Sequence, residues 1–331
     1  MSRRDNIRKA KEIISSRHSE AVSTYERHTA EARENVPGFA QADSLLAQTG
    51  AKIMAAAVGL NRETSPSSDI DAIHAEYDAL VRKKRAVLAE NGYPEDYCDI
   101  KYHCEKCSDS GYCGIDICDC LKKEIVKASL EASGLYSLTE NQNFDTFVLD
   151  YYENNDKIIM EKNLGLLRHF ADTFVPAASD SFLFIGGTGL GKTHLSSALA
   201  RLVIEKGAYV VYESAMMLFS DFEAKQFGRS GFSGEEPDTE KYFDCDLLII
   251  DDLGCEMTNQ FTVSCLYNII NTRLIMHKST VISTNLSQNE LRKRYTDRII
   301  SRIFGEYKPL IFTGSDVREQ KIRREYRNSK L

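Results

Sequence analysis

The segment "GGTGLGKTH", residues 186–194, constrains the fold of this 331-residue chain more than any other feature. Its Gly186, Gly191, Lys192 and Thr193 satisfy the pattern G-x-x-x-x-G-K-[ST]. The apolar run "SFLFI" precedes the segment and the helical "LSSALARLVIEKG" follows it, so the glycines lie where a strand turns into a helix. Glycines let backbone N–H groups face phosphate oxygens, and the start of a helix adds partial positive charge. The sequence therefore predicts a nucleoside triphosphate site.

The side chains of this loop have predicted roles. Lys192 is expected to reach the β- and γ-phosphates, and the Thr193 hydroxyl is expected to ligate Mg²⁺. The loop residues that are predicted to bind the nucleotide are Gly186, Gly187, Thr188, Gly189, Leu190, Gly191, Lys192, Thr193 and His194.

Two later segments predict the rest of a hydrolytic site. The run "CDLLIIDDLG" ends in Asp251 and Asp252, at the carboxyl edge of a predicted buried strand. Asp251 is expected to hold Mg²⁺ together with Thr193, and Asp252 to polarise the attacking water. In "STNLS", Thr284 or Asn285 is placed to orient water against the γ-phosphate, and a simple turn asparagine is the alternative.

The two halves of the chain have different periodicities. From Ser181 onward, short runs such as "AYVVYES", "STVISTNLS" and "PLIFTG" alternate with helical stretches. This alternation predicts an α/β domain with a parallel sheet covered on both faces. Residues 1–92 instead have helical periodicity, with helices over about 3–34 and 70–92 around the loop "LNRETSPSSD". They form either a plain helical bundle or a partner-binding domain.

The predicted domain organisation has four parts. They are a helical partner-binding domain (1–95), a cysteine-rich zinc module (96–125), a linker and lead-in (126–150) and an α/β ATPase domain (151–331).

The amino-terminal sequence predicts a cytoplasmic protein. The segment "MSRRDNIRKAKEIISSRHSE" lacks the apolar core of a signal peptide, and the apolar run "IMAAAVGL" is far shorter than the ~20 residues of a membrane span. In the cytoplasm thiols stay reduced, so clustered cysteines indicate a metal site rather than disulfides. The scattered Cys245, Cys255 and Cys265 are expected to be buried, inert thiols.

Charge is distributed unevenly along the chain. The net charge is −7, yet residues 292–331 contain twelve Lys and Arg against five acidic residues. A basic end on an acidic body suggests an anionic partner such as nucleic acid. A solvated terminal helix explains the same composition equally well.

The segment "CEKCSDSGYCGIDICDC", residues 104–120, predicts a structural zinc site. Its Cys104-x-x-Cys107 and Cys118-x-Cys120 pairs supply four thiolates, the number that tetrahedral zinc requires. In so small a segment, zinc would contribute about 10–16 kcal/mol to folding. Cys98, Cys113 and His103 are left over. An iron–sulfur cluster, a redox C-x-x-C pair and unbound thiols are the alternatives.

A late arginine pair completes the motifs. In "RKRYTDRIISRIFGEYKPL", Arg298 and Arg302 are four residues apart and share a face if the segment is helical. Such a pair either stabilises a transferring phosphate, often across a subunit interface, or forms a surface salt-bridge face.

The ordered motifs "GGTGLGKTH", "LLIIDDLG", "VISTNLS", "RYTDRIISRI" and "SDVR" closely resemble those of bacterial replicative helicase loaders of the DnaC/DnaI type, within the AAA+ ATPases. The resemblance covers residues 144–327. It implies that Lys192 and Thr193 belong to Walker A, that Asp251 and Asp252 belong to Walker B, and that Asn285 is sensor 1. It further implies an arginine finger at Arg298, a second trans contact at Arg302 and a sensor-2 arginine at Arg318.

The resemblance also implies cofactors and partners. The cofactors would be ATP, Mg²⁺ and, for the cysteine module, Zn²⁺. The partners would be the hexameric replicative helicase, single-stranded DNA and further copies of the chain, which would self-associate through the AAA+ domain. Many AAA+ proteins have Glu after the Walker B Asp, whereas this chain has Asp252, which suits an ATP-timed switch better than a fast motor.

Two other functions fit parts of the sequence. A transposition helper ATPase of the IstB type shares the core, but its short amino-terminal part lacks a four-cysteine module. A non-hydrolysing adaptor whose nucleotide sets its conformation is the third hypothesis, which Asp252 leaves open.

Overall fold

A computed structural model of the chain describes residues 3–57, 68–133, 135, 142–178, 180–229 and 237–328. They form two compact units, Lys11–Leu121 and Met1–Ala10 together with Lys122–Leu331. Most of the predicted loop at 60–69 lies outside the described residues, and its last two residues begin a helix. Within the described ranges, none of the helices combines the length and the apolar character that a membrane span needs.

The amino-terminal region is helical, as its periodicity predicts. Its helices are α1 (Arg3–Asn35), α2 (Phe39–Ala57) and α3 (Ser68–Glu90). A small core joins them within the first unit, and its buried members are Ala32, Val36, Phe39, Leu88 and Cys98.

An ion cluster adds to this small core. The Asp43 carboxylate accepts hydrogen bonds from Lys84 (2.8 Å) and Arg33 (2.7 Å). These two cations lower the pKa of Asp43 although burial opposes its ionisation. Because the Lys84 and Asp43 side chains are nearly buried, their pairing fixes α3 against the start of α2.

The cysteine segment contains little regular structure. A hairpin of β1 (Tyr112–Cys113) and β2 (Asp116–Ile117) is followed by α4 (Asp119–Ala132). The first unit, which ends at Leu121 inside α4, contains the four predicted zinc ligands Cys104, Cys107, Cys118 and Cys120. It also contains the two remaining cysteines of this region, Cys98 and Cys113.

The second unit is built on a five-stranded sheet in which every neighbouring pair is parallel. Its strands are β3 (Ser181–Ile185), β4 (Val210–Ser214), β5 (Leu247–Leu253), β6 (Ser279–Thr284) and β7 (Tyr307–Ile311). Their spatial order is β4-β5-β6-β3-β7. Because all strands run the same way, their carboxyl ends share one edge, where a ligand site forms. The predicted α/β class is confirmed.

Helices cover both faces of the sheet. After a 3-10 turn at Leu149–Tyr151 they are α5 (Asn154–Asp172), α6 (Lys192–Glu205), α7 (Ala215–Gln226), α8 (Lys241–Asp244), α9 (Gln260–Ile275), α10 (Gln288–Arg294), α11 (Asp297–Glu306) and α12 (Val317–Asn328). Alternate residues of β5 enter different cores: Leu247 and Ile249 pack with α5 and α6, whereas Leu248 and Ile250 pack with α7, α9 and α11. This alternation explains the continuous apolar runs in the sequence.

One expectation about cysteines is wrong. Cys245 is buried and Cys265 is half-buried, but Cys255 is exposed. Cys255 follows Gly254 in the loop after β5. Because the chain has left the sheet at this point, Cys255 is not buried with the apolar residues of the strand.

Candidate nucleotide site and cysteine cluster

Lys192 lies at the centre of the predicted phosphate loop. Its Nζ donates hydrogen bonds to the carbonyl oxygens of Gly186 (2.7 Å) and Gly187 (2.6 Å) and to Asn285 Oδ1 (2.5 Å). Burial lowers the pKa of Lys192, while the Asp252 and Asp251 charges oppose that shift. The three acceptors of the ammonium group are therefore uncharged. Phosphate oxygens that bind at the first turn of α6 would take their place.

The phosphate loop requires glycine at position 189, because there is no room for a side chain there. Gly189 has φ +72°, and a Cβ atom on it would overlap the Asp316 carboxylate. Asp316 also accepts a hydrogen bond from the Arg318 backbone N–H (2.8 Å), and the Gly189 carbonyl accepts one from Val317 (3.0 Å). The start of α12 therefore lies directly on the phosphate loop.

A β-bulge brings both predicted Walker B carboxylates to the site. In an ordinary strand Asp251 and Asp252 would point to opposite faces. Here Ile250 pairs with Ile282 and Leu253 with Thr284, so β5 has one extra residue at this point. Asp252 takes φ +55°, a conformation that is uncommon for residues other than glycine. The bulge therefore redirects Asp252 into the nucleotide cavity.

Asp251 is surrounded by hydroxyl groups. Its Oδ2 accepts hydrogen bonds from Tyr212 (2.7 Å) and Thr193 (3.1 Å), and its Oδ1 accepts one from Ser283. Carboxylate and hydroxyl oxygens are ligands that Mg²⁺ accepts. The Thr193 and Asp251 pair fits the predicted magnesium site, with Tyr212 and Ser283 orienting the carboxylate.

Asp252 is placed to act on a water molecule. Its backbone N–H donates to Ser283 Oγ (2.9 Å), and its Oδ1 lies 3.5 Å from Asn285 Nδ2. Burial, and then the Asp251 charge, raise the pKa of Asp252. Asn285 therefore lies between Lys192 and Asp252, where it can contact the γ-phosphate and the attacking water. Thr284 does not do so, because its hydroxyl donates to the Leu253 carbonyl (2.7 Å).

The segment before the sheet forms one wall of the same cavity. Thr146, Phe147 and Tyr152 line it beside His194. His194 donates from Nε2 to the Asn143 carbonyl (2.9 Å), so it holds this segment against the phosphate loop. Burial lowers the pKa of His194. The segment "NFDTFVLDYYEN" resembles the lead-in to the ATPase core of the helicase loaders, but its sequence did not assign these side chains to the nucleotide cavity.

The predicted arginines divide into two groups. Arg318 lines the nucleotide cavity, as expected of a residue that contacts phosphate. Arg298 is exposed in the first turn of α11 and lies outside that cavity, and Arg302 stacks over the Tyr267 ring at 5.5 Å. The fold therefore brings Arg318, but not Arg298 or Arg302, to the phosphate loop of its own chain.

The four predicted zinc ligands lie together. The Sγ atoms of Cys104, Cys107, Cys118 and Cys120 are all within 4.8 Å of one another. Cys104 and Cys118 are 3.8 Å apart and Cys107 and Cys120 are 3.4 Å apart. A tetrahedron with Zn–S bonds of about 2.3 Å has sulfurs about 3.8 Å apart. The cluster therefore suggests a zinc site.

The turn that presents the first two ligands is held by Asp109. This buried carboxylate accepts hydrogen bonds from the backbone N–H groups of His103 (2.8 Å) and Cys104 (2.9 Å). The spare thiols lie elsewhere: Cys98 is in the helical core, and Cys113 contacts the Lys106 carbonyl at 3.8 Å. The choice of four ligands from six cysteines agrees with this arrangement.

Residues 148–304 match the family model described as IstB-like ATP binding protein. This range contains the phosphate loop, both Walker B carboxylates and Asn285. The chain carries an IstB-like ATP-binding domain.

Relatives of the IstB-like domain include replicative helicase loaders. The loader DnaC of Buchnera aphidicola subsp. Baizongia pistaciae is 26% identical over 174 residues, which cover 53% of this chain and 68% of the relative. DnaC of Escherichia coli (strain K12) is 24% identical over 202 residues, or 61% and 79% of the two chains. The crystal structure of the DnaC helicase loader aligns with 52% of this chain and 97% of its own, at 24% identity and a TM-score of 0.44.

The IstB-like domain has the AAA+ fold, with the phosphate loop after β3 and the paired carboxylates in β5. Its relation to DnaC-type loaders is one of distant homology.

Proposed function

We propose that this protein is an ATP-dependent loader of the replicative DNA helicase onto single-stranded DNA, in replication initiation or restart. The observation that carries the proposal is the convergence of Lys192 with Asn285 and of Thr193 with Asp251, in a domain similar to the loader DnaC. In this proposal Lys192, Thr193 and Asp251 bind Mg·ATP, and Asp252 and Asn285 orient the attacking water. Hydrolysis would be slow and would depend on assembly.

The amino-terminal unit is the proposed helicase-binding part. The family match begins at residue 148, so α1–α3 and the cysteine cluster lie outside it. The proposed division is a helicase-binding domain at 1–95 and a zinc module at 96–125, followed by a lead-in to the AAA+ domain at 151–331.

Self-association through the AAA+ domain would complete the catalytic site. Arg298 is exposed and lies outside the cavity of its own chain. A neighbouring copy would therefore be its phosphate partner, and Arg302, which stacks on Tyr267, would support the same face.

A cation–aromatic pair after α7 is the proposed DNA contact. Single-strand binding combines basic groups with stacking aromatic rings. Phe219 is buried and Phe222 stacks against Tyr242 at 5.7 Å, whereas the Phe227 ring is exposed and has the Arg229 guanidinium 5.6 Å from its centre. Phe232 lies outside the described residues.

The test is binding of the purified full-length protein to the replicative helicase hexamer of the same cell. Co-elution in size-exclusion chromatography is expected, followed by ATP-dependent transfer of the helicase to single-stranded DNA. The Phe227→Ala variant should lose DNA binding but keep helicase binding. Absence of a helicase complex with and without ATP would overturn the proposal.

The family model favours one second candidate. Its IstB-like description fits a helper ATPase that would position a transposase on target DNA. Co-elution with the transposase instead of the helicase would support that function. A non-hydrolysing adaptor would bind ATP and show no turnover in either assembly.

A further inference from the structure

Glu256 is a buried carboxylate that the proposed reaction does not use. It is 4% exposed and lies in the loop that follows β5, four residues after Asp252. Its Oε2 accepts a hydrogen bond from the Gly254 backbone N–H (2.8 Å), and its Oε1 accepts one from the Tyr295 hydroxyl. Burial, and then this carboxylate, raise the pKa of Tyr295, so the phenol stays protonated and donates.

Arg294, which precedes Tyr295, makes a second connection to the loop that follows β5. The Arg294 guanidinium donates to the Glu256 carbonyl and, from Nε, to Thr258 Oγ1 (2.6 Å). Arg294 ends α10, Tyr295 follows it, and after Thr296 begins α11, whose second residue is Arg298. The loop after Walker B is therefore bonded to the segment that places Arg298.

The other side of the loop is equally constrained. Gly254 has φ +106°, and a Cβ atom on it would overlap the Leu286 side chain. The Leu253 carbonyl accepts the Thr284 hydroxyl at 2.7 Å. Asp252 is only two residues from Gly254, and Gly254 is constrained on both sides. A shift of the Walker B carboxylates on binding Mg·ATP would therefore also displace Gly254 and the Glu256 carboxylate bonded to it.

We propose that Glu256 is a positioning residue that couples the Walker B loop of one subunit to Arg298, the arginine which that subunit presents to its neighbour. The Gly254 N–H, the Glu256 carboxylate and the Tyr295 hydroxyl form the connection, which we call the Glu256 relay. The relay rests on the proposed trans role of Arg298 but not on helicase loading. Nucleotide state at one site would thereby set the rate at the next.

The first test removes one hydroxyl group. Tyr295→Phe keeps the buried ring and should leave the ATP dissociation constant within twofold, while the assembled kcat falls about tenfold, or about 1.4 kcal/mol. Tyr307→Phe is the matched control, because it removes another buried hydroxyl, which lies at the start of β7 and faces Thr280 instead of Glu256. Equal losses in both variants, or a loss of ATP affinity in Tyr295→Phe, would overturn the relay.

A conservative variant separates coupling from charge. In Glu256→Gln the amide oxygen can accept from Gly254 and the amide nitrogen can donate to the Tyr295 oxygen, so both connections persist. We expect Glu256→Gln to keep most of the assembled kcat and Glu256→Ala to lose it as Tyr295→Phe does. A Gln variant as slow as the Ala variant would contradict the proposal.

The decisive test places the change in one subunit of a mixed assembly. Arg298→Ala subunits supply an intact nucleotide site, and Asp252→Asn subunits supply Arg298, so only their mixture should exceed the basal rate of ATP hydrolysis. Tyr295→Phe in the Asp252→Asn partner should lower this activity about tenfold. A loss only when Tyr295→Phe is in the Arg298→Ala partner would overturn the relay. If the mixture without Tyr295→Phe were inactive, both the trans role of Arg298 and the relay would be refuted. The proposed helicase binding would not be affected by that result.

Discussion

The nucleotide site and the cysteine cluster of this chain are held together in different ways. The nucleotide site gathers Lys192, Asp252, Asn285 and Arg318 from four separated segments, because a buried parallel sheet brings their strand and helix ends to one edge. The cysteine cluster takes its ligands from residues 104–120 alone, around a hairpin with strands of two residues. Packing therefore builds the first site, whereas the second has little core of its own.

This difference predicts opposite responses to loss of a ligand. Removing a phosphate-binding side chain should leave the AAA+ core folded, because Leu183, Leu248 and Ile249 are fully buried without it. Removing a thiolate should unfold its surroundings, because metal binding in such small modules is coupled to folding. The comparison is broken if either site behaves like the other.

The largest expected effect is therefore on the cysteine module. Cys104→Ser should release the metal and the associated folding free energy, about 10–16 kcal/mol in small zinc modules. We expect about one zinc per chain in the unaltered protein by elemental analysis, and proteolysis within 96–121 in the variant. ATP affinity should stay within twofold.

Cys113→Ser is the matched control, because this thiol lies in the same hairpin but outside the four-sulfur cluster. It should retain metal and protease resistance. Iron in the purified protein, or equal sensitivity of both variants, would contradict the zinc assignment.

The second effect concerns the nucleotide site. Lys192→Ala removes the ammonium group that contacts Gly186, Gly187 and Asn285 and should abolish ATP binding, a change of at least about 10³-fold or 4 kcal/mol. The measurement is titration with a fluorescent ATP analogue. Thermal unfolding of the AAA+ domain should change little.

Lys206→Ala, at the opposite end of the same helix, is the control. Its ammonium group donates to the Asp172 carbonyl (2.5 Å), far from the cavity lining, so ATP binding should persist. Micromolar affinity in Lys192→Ala would refute the phosphate-loop assignment.

Sequence patterns predicted the features that depend on local chemistry. The glycines and Lys192 have a fixed spacing because one turn must cradle phosphates. Four of the five cysteines within residues 104–120 are spaced so that they can bind one metal ion. The alternating apolar runs predicted the α/β class, because strands buried on both faces need continuous hydrophobic sequence. These are properties of short segments and are visible without tertiary structure.

The remaining features depend on contacts between distant segments. The bulge at Asp251–Asp252 arises from the register of β5 against β6, which a strand's own sequence does not specify. Tyr212 reaches Asp251 only because β4 lies beside β5. His194 lines the nucleotide cavity and also donates to the Asn143 carbonyl, a contact that its position in the phosphate loop does not reveal. Each case needs knowledge of a neighbour that is far away in the chain.

The third prediction extends the comparison to assembly. Arg298→Ala should leave ATP binding and the basal rate of dilute protein unchanged, since Arg298 lies outside its own cavity. In the assembled state the rate should fall about 10²–10³-fold, as for loss of one charge-stabilising donor. ATPase measured against protein concentration is the test. An equal loss in dilute protein would refute a trans role.

Arg292→Ala provides a matched control for this variant. Arg292 is also exposed, lies in α10 and does not line the nucleotide cavity. Its loss should leave the assembled rate within about twofold, because surface charges away from the reacting phosphate contribute little.

The smallest effect is one of stability, and it distinguishes a site built by packing from one built by a metal. Burial and Asp251 raise the pKa of Asp252, so the folded protein binds this proton more tightly than the unfolded chain. Stability conferred by the protonated form is therefore lost as pH rises from about 3.9, the ordinary Asp value, through the raised pKa. Asp252→Asn removes that cost, and asparagine tolerates φ +55°.

We therefore expect Asp252→Asn to abolish turnover yet to raise the thermal midpoint at about pH 7, by a few degrees, in nucleotide-free protein. The gain should shrink through pH 4 and vanish below about pH 3, where Asp252 is protonated in both states because the ordinary Asp pKa is about 3.9. Thermal unfolding at a series of pH values measures it. A lower midpoint across the whole range would mean that the ionised carboxylate stabilises the fold, so that Asp252 would be part of a structural pair rather than a strained group held ready for water.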